Sequence, residues 1–359
     1  MGEWVMSEES VTQEKEQMRL STEQQAEIGD ILLSARAVSR QMVNQAREQS
    51  DEILQTARDR AEQIVNEASE KAASALREAD EKAAAIVGDA REKTANALQE
   101  AENQASAIVR EASRLMVREG FAIQEKGSVE NIVTSSDLAV QDFLTERLAQ
   151  LLPGCGFLCE EEDLTDLKHA YVWIIDPIDG TANYARGSEN CCISVALVHQ
   201  GTPVAGVVYS PWRDELYTAE KGRGACCNGK PIHASTRSFK EGILFTAMST
   251  YRKEFARTCS DIIYDIYMEC NDLRRTGSAA VELCLMARGF AELYFEMRLM
   301  PWDYAAAGLI LEEAGGAICS LDGNAPSLTK PSLIIAGNNK ENCDRVLSIV
   351  RKHLPALPY

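Results

Sequence analysis

The sequence predicts an α+β protein in two parts: a long N-terminal α-helix, then a domain of sheet packed against helices. Three observations lead there. Apolar pairs recur at Ile31-Leu32, Met42-Val43, Ile53-Leu54, Ile64-Val65, Ala75-Leu76, Ile86-Val87, Ala97-Leu98 and Ile108-Val109, each followed at a fixed offset by an alanine, from Ala35 to Ala112. Strand-like runs separated by glycine turns follow Asn183. Two apolar runs end in carboxylates: Phe157-Leu158 leads into Glu160, Glu161, Glu162 and Asp163, and Val172–Ile175 leads into Asp176.

The 359 residues allow about two domains. The chain carries 37 basic and 55 acidic residues, a formal net charge of −18, divided about evenly between the first third and the rest. A field of that sign argues against nonspecific nucleic-acid binding and against anionic membrane surfaces, so an anionic substrate must be met by metal. No apolar run is long enough to cross a membrane. The first twenty residues lack a secretory core, and Met1-Gly2 lacks the Ser or Thr of a myristoylation signal. The 11 cysteines show no C-x-x-C pair and no Cys/His zinc spacing, which fits a reducing cytoplasm; Cys284 and Cys319 read as small core residues. All four histidines lie outside the motifs and read as surface residues.

Residues 1–25 are polar and Gln/Glu-rich, and are expected to be disordered or frayed. Residues 26–113 form the expected stalk. A step of about eleven residues, or about 3.67 per turn, predicts a straight to gently right-handed supercoil. Proline is absent, and Gly88 is the one breaker within the pattern. A helix from Glu27 to Arg118 would be roughly 140 Å long. Its alanine-rich stripe makes no core alone, so a coiled coil with a second copy is expected rather than a solvated helix held by i,i+4 charge pairs. The stripe continues into Leu115-Met116 and Phe121-Ala122, the expected first helix of a domain spanning 114–356, until Gly127 interrupts it.

Val133-Thr134 reads as a short extended turn, and Ser136-Asp137 as the cap of a helix over 138–152. Val172–Ile175 reads as a buried strand that stops at Asp176-Pro177, because proline donates nothing to a ladder. Strands are expected over 194–198, 203–209 and 214–219, with a hairpin turn at Gly201-Thr202. A helix is expected over 255–270, a strand end, glycine turn and helix start over 273–283, and a strand over 291–296. Asp303 then opens a helix through Ala305–Gly315 as its cap or first-turn acid, and a strand (332–336) and helix (341–352) finish the chain.

Carboxylates gathered at a strand end are costly unless neutralised, and a hard divalent cation with oxygen ligands is the economical neutraliser. Gly180 has no side chain, so its amide and that of Thr181 can approach an anion closely. Cation and amides together suit a phosphate.

The run Trp-Ile-Ile-Asp-Pro-Ile-Asp-Gly-Thr-Ala-Asn-Tyr (173–184), with Glu160-Glu161 and Asn131–Asp137 before it and Trp302-Asp303-Tyr304…Glu313-Ala314-Gly315-Gly316 after it, resembles the inositol monophosphatase family of Mg²⁺-dependent, lithium-sensitive phosphatases. The resemblance covers roughly residues 115–350 and implies a layered αβαβα sugar-phosphatase-like fold. It implies that Asp176 bridges two Mg²⁺ ions, with Glu160 and the Ile178 carbonyl completing one site and Asp179 and Asp303 the other. Thr181, hydrogen-bonded near Glu160, would orient the attacking water. The Gly180 and Thr181 amides would cradle the phosphate, and Asp137 would reach a weaker third metal. Glu296 and the Ala279 amide match substrate positions. Glu282 stands where relatives place another small polar or acidic residue, and whether its longer side chain alters substrate choice is left open by the sequence; Asn131 stands where relatives often carry an acid. Glu162 and Asp163 read as a solvated loop.

The implied activity is Mg²⁺-dependent hydrolysis of inositol monophosphate or a similar small polyol phosphate. The alternatives are a 3'-phosphoadenosine 5'-phosphate or fructose-bisphosphate phosphatase of the same superfamily, and a coiled-coil scaffold that uses the fold to bind a partner. Relatives are usually dimers through the catalytic domain, so a homo-oligomer is expected.

Overall fold

In a computed structural model, residues 8–128, 131–161, 165–248 and 252–354 are described. The chain divides into two compact units, Met1–Ala90 and Arg91–Tyr359. Helix α1 (Glu8–Ala112) begins in the first and ends in the second. Residues 8–25 are therefore helical rather than frayed. In the first unit the apolar stripe faces solvent: Ile31, Met42, Ile53, Ile64, Leu76 and Ile86 are all exposed. Pairs such as Lys82–Glu78 at 2.6 Å lace its surface, as expected of i,i+4 spacing. Among the described residues no helix is long and apolar enough to cross a membrane.

In the second unit the same stripe is buried. Ala105, Ile108, Val109 and Ala112 pack with Val140, Leu144 and Leu148 against Trp173, Ile175 and Ile193. The domain therefore starts inside the helix, near residue 91, rather than at 114. The helix stops at Ala112, passes through a 3₁₀ turn at Ser113–Leu115, and does not continue into Phe121. Strands β1 (Ile123–Ser128) and β2 (Asn131–Thr134) follow as an antiparallel pair. Helix α2 (Ser135–Leu151) is capped by Thr134, not by Ser136-Asp137: Asp137 is the acid of a capping box.

A seven-stranded sheet comprises, in spatial and chain order, β3 (Gly156–Cys159), β4 (Tyr171–Asp179), β5 (Cys192–His199), β6 (Thr202–Ser210), β7 (Glu215–Glu220), β8 (Gly224–Cys227) and β9 (Lys230–Ile232), with the short helix α3 (Thr181–Ala185) between β4 and β5. Only β3 and β4 run parallel. The β5–β6 turn is Gln200-Gly201, both at positive φ, one residue earlier than the sequence suggests.

A second, five-stranded sheet is built from β10 (Ile243–Thr246), β11 (Asp272–Arg274), β12 (Leu293–Leu299), β13 (Ala317–Cys319) and β14 (Ser332–Gly337), in the order β11-β10-β12-β14-β13. Helices α4 (Ala256–Tyr267), α5 (Ala279–Ala287) and α6 (Pro301–Glu313) lie between these strands in the chain, and α7 (Lys340–His353) follows β14.

Side chains alternate across each strand, so each sheet has two faces to bury. On β4, Trp173 and Ile175 face α2 and the end of α1, while Val172 and Ile174 face α5 and α6. On β12, Tyr294 faces α5 and α6, while Leu293 and Phe295 face α4 and α7. The layers run α, β, α, β, α. Helix α6 is buried almost all round, which its apolar composition requires. Its alanines let it approach β6 so closely that a Cβ on Gly206 would stand 2.8 Å from the Ala306 carbonyl oxygen.

Candidate active site

The site gathers where β4 ends and α6 begins. Strand β4 does not stop at Pro177. It runs on to Asp179 through an irregularity in its pairing with β5, between Asp176 and Asp179. A bulge leaves a residue unpaired, so proline's missing donor costs nothing there. Both carboxylates are buried. The Ile178 amide donates to Asp176 Oδ1 at 3.0 Å. Gly180 then turns the chain at φ 90° into α3. A Cβ there would stand 2.9 Å from the Asn190 carbonyl oxygen, so both the dihedral and the space demand glycine.

Asp303 reaches the same place from the first turn of α6, anchored by the Met300 amide on Oδ2 at 2.7 Å. Carboxylate oxygens of Asp176, Asp179 and Asp303 lie within 4.8 Å of one another. Burial, reinforced by mutual repulsion and by Glu160, holds the Asp176 and Asp303 carboxyls well above the usual range. Burial also pushes Asp179 up to about 6, although the Ser278 hydroxyl (2.6 Å) and the Ala280 amide (2.7 Å) donate to its Oδ2.

Glu160 follows β3, and its amide bonds the Ile175 carbonyl, which keeps it beside the end of β4. It lies outside the close trio. Lys126 of β1 bridges Glu160 (3.3 Å) and Glu161 (2.6 Å). Glu161 is buried and pushed up to about 7, chiefly by that burial. Gln141 of α2 clamps the Glu161 backbone, donating to its carbonyl at 2.8 Å and accepting from its amide at 3.0 Å. Glu162 and Asp163 lie outside the described residues.

Thr181 is not bonded to Glu160. Its Oγ1 lies 3.1 Å from Asp137 Oδ1 and 3.0 Å from the Ile178 carbonyl oxygen. Asp137 is fully buried, and its Oδ2 accepts from the Thr134 amide at 2.8 Å and from the Thr134 hydroxyl. Burial raises its pKa. Asn131 opens β2 opposite Ser128, outside the trio.

Glu282 points away from the carboxylate trio. It is buried and turns into the loop, accepting from the Thr276 amide, the Thr276 hydroxyl and the Gly277 amide. It holds the turn. The amides at the start of α5, Ala279 and Ala280, act on Asp179. Glu296 accepts from the Tyr294 hydroxyl at 2.8 Å, and burial raises it to about 8 against the opposing charge of Arg275. Sequence reasoning missed Ser278, Lys126 and Gln141. Ser278 was findable as the N-cap in Gly-Ser-Ala-Ala; Lys126 and Gln141 belong to no motif.

A model of the inositol monophosphatase family matches residues 89–354. The chain belongs to the inositol monophosphatase family. The Nus factor SuhB of Xylella fastidiosa is 37% identical over 210 residues, which is 57% of this chain and 76% of that protein. Inositol monophosphatase 3 of Solanum lycopersicum is 36% identical over 225 residues, 60% of this chain and 84% of its own length. Among solved structures, the extragenic suppressor protein suhB of Bartonella henselae matches with a TM-score of 0.65 and 31% identity, covering 72% of this chain and 100% of its own. An IMPase/NADP phosphatase complexed with Mg²⁺ and phosphate matches at TM-score 0.58 and 27% identity, over 64% of this chain and 85% of its own. The family match begins inside α1, ahead of the buried part of its stripe.

Proposed function

We propose that the chain is a Mg²⁺-dependent phosphomonoesterase acting on inositol monophosphate or a similar small polyol phosphate. One observation carries this reading: Asp303, far along the chain from Asp176 and Asp179, joins them so that carboxylate oxygens of all three lie within 4.8 Å of one another, two of the residues buried and Asp303 half-buried. The donor set fits the metal. It is all oxygen, it is anionic, and its raised pKa values mark charge that lacks a counter-ion. Asp176, Asp179, Asp303, Glu160 and the Ile178 carbonyl would hold Mg²⁺. Ions so held supply charge neutralisation for the transferring phosphoryl group and an acidified water.

The protein's own groups do the rest. A hydroxyl has one proton, so Thr181 Oγ1 donates to Asp137 or to the Ile178 carbonyl and keeps a lone pair for a water. It orients that water, and Asp137 is the buried acceptor behind it. The Gly180 and Thr181 amides receive the phosphate, and Glu296 accepts from a substrate hydroxyl. The Ala279 amide stays with Asp179. Phosphate-release assays on inositol 1-phosphate, 3'-phosphoadenosine 5'-phosphate and fructose 1,6-bisphosphate, with and without Mg²⁺, test the reading; faster turnover of 3'-phosphoadenosine 5'-phosphate would move the substrate to the nucleotide class.

A second reading has its own support. Relatives named Nus factor SuhB and an exposed apolar stripe over Ile31–Val87 favour a scaffold role, with the stalk pairing to a second copy. Full cellular function in an Asp176→Asn variant would favour it over catalysis. Light scattering on the full chain and on a chain lacking the stalk tests the pairing.

A further inference from the structure

Two buried thiols touch on the far side of the second sheet. Cys319 Sγ, at the end of β13, lies 3.6 Å from Cys343 Sγ, near the start of α7. Both belong to the core that α7 makes with that sheet, and they are 6% and 1% exposed. The fold fixes both against β14. Cys319 pairs with Ile335 across the β13–β14 ladder. Cys343 Sγ lies 3.9 Å from the Ile335 carbonyl oxygen, and α7 starts so close to β14 that a Cβ on Gly337 would stand 2.4 Å from the Cys343 amide nitrogen.

The two sulfurs are not equivalent. The hydrogen bond with Cys343, helped by the charges of Lys340 and Arg351 and opposed by burial and Asp344, holds the Cys319 thiol below its ordinary value. The same bond, with burial, pushes Cys343 up. Lys340 is paired with Asp344, and Arg351 is anchored through Nε on the Leu321 carbonyl at 2.9 Å, so these charges stay in place. Burial alone governs thiols elsewhere: it raises Cys159, Cys191, Cys192 and Cys284. The thiolate is the nucleophile, which makes Cys319 the attacking sulfur and Cys343 the resolving one. Strand β13 lies at the edge of its sheet, the side from which a small oxidant can approach.

We propose that Cys319 and Cys343 form an oxidation site at which a hydroperoxide converts the two thiols into an intramolecular disulfide. The Cys319 thiolate attacks a peroxide oxygen: an S–O bond forms, the O–O bond breaks, and the departing oxygen takes up a proton. Cys343 sulfur then attacks the Cys319 sulfenic sulfur: the S–S bond forms, the S–O bond breaks, and the hydroxyl leaves as water with the Cys343 proton. The thiols together lose two electrons and two protons, and the peroxide is reduced. A disulfide is about 2.05 Å long, so the sulfurs close by about 1.5 Å, within the reach of side-chain rotation. The bond ties α7 to the sheet edge and closes the segment between the two cysteines. That segment includes Ser327, whose carbonyl accepts from the Tyr304 hydroxyl.

The test uses the full chain, reduced and then treated with excess hydrogen peroxide. Alkylation in denaturant and digestion without reductant, read by mass spectrometry, should show the 11 thiols diminished by two and a peptide linked through Cys319 and Cys343. The thermal unfolding midpoint should rise by about 5–10 °C, because closing a loop restricts the unfolded chain, and dithiothreitol should reverse both changes. Cys343→Ala should carry on Cys319 a dimedone adduct that the parent, having resolved its sulfenic acid, lacks; Cys319→Ala should leave Cys343 unmodified. The linked peptide in the parent decides the matter if either variant fails to fold. Thiols retained at both positions, a bond mapped between other cysteines, or a bond that leaves the midpoint unchanged or lower overturns the proposal. An adduct on Cys343 in place of Cys319 overturns the assignment of attacker and resolver.

Discussion

Thr181 Oγ1 stands 3.1 Å from Asp137 Oδ1, joining the turn after β4 to the first turn of α2. The pair is the proton-handling unit of the proposed site. Thr181→Val keeps the shape and removes the hydroxyl. It should lower kcat by about 10²–10⁴-fold with KM little changed, because general-base orientation acts in the transition state. Steady-state phosphate release measures it, and an equal rise in KM at constant kcat would assign Thr181 to binding alone.

The carboxylate trio stores repulsion in the absence of metal. Asp176→Asn removes one buried charge, so the metal-free variant should unfold at a higher temperature than the metal-free parent, and Mg²⁺ should stabilise it less. Thermal unfolding with chelator and with Mg²⁺ gives both numbers. A variant that is less stable without metal and gains as much from Mg²⁺ as the parent would mean that the trio does not hold the ion.

Stability should depend on pH in a set direction. Asp179 is raised to about 6, Glu161 and Glu282 to about 7 and Glu296 to about 8. A carboxyl with a folded pKa above its unfolded value binds more protons when folded, so stability is fully present below about pH 4 and is lost as pH rises through the folded values. The metal-free chain should therefore unfold at a lower temperature at pH 8.5 than at pH 5, with Mg²⁺ flattening the slope. A metal-free midpoint that rises over that range would contradict the arrangement.

The end of α1 belongs to the enzyme. A chain starting at residue 91 keeps Ala105, Ile108, Val109 and Ala112 on the sheet, and one starting at 114 loses them. Burying Ile108 and Val109 is worth about 3–6 kcal/mol together. The shorter chain should unfold at markedly lower urea, the longer one near the parent value. Equal midpoints would return the boundary to 114.

The stalk repeat and the acid clusters were legible because each is local: the repeat is a period, and the acids follow apolar runs. The domain boundary was not, because the last repeats look like the earlier ones and only their partners differ. Thr181's partner was misread because Asp137 is 44 residues away, and Glu160 is also distant in sequence. The direction of Glu282 was not legible because sequence gives length and charge only; its oxygen accepts from the Thr276 and Gly277 donors. Pro177 stopped the strand on paper, whereas a bulge accommodates it. Lys126 reaches Glu160 and Glu161 from a two-stranded hairpin, and no spacing rule connects them.

The most direct measurement is phosphate release from inositol 1-phosphate by the full chain under Mg²⁺ titration, beside its Asp176→Asn variant. The account predicts release that saturates with Mg²⁺, stops with chelator and falls at least about a thousandfold in the variant, the scale of losing an essential charge-stabilising group. Release indifferent to Mg²⁺, or equal in the variant, would contradict it.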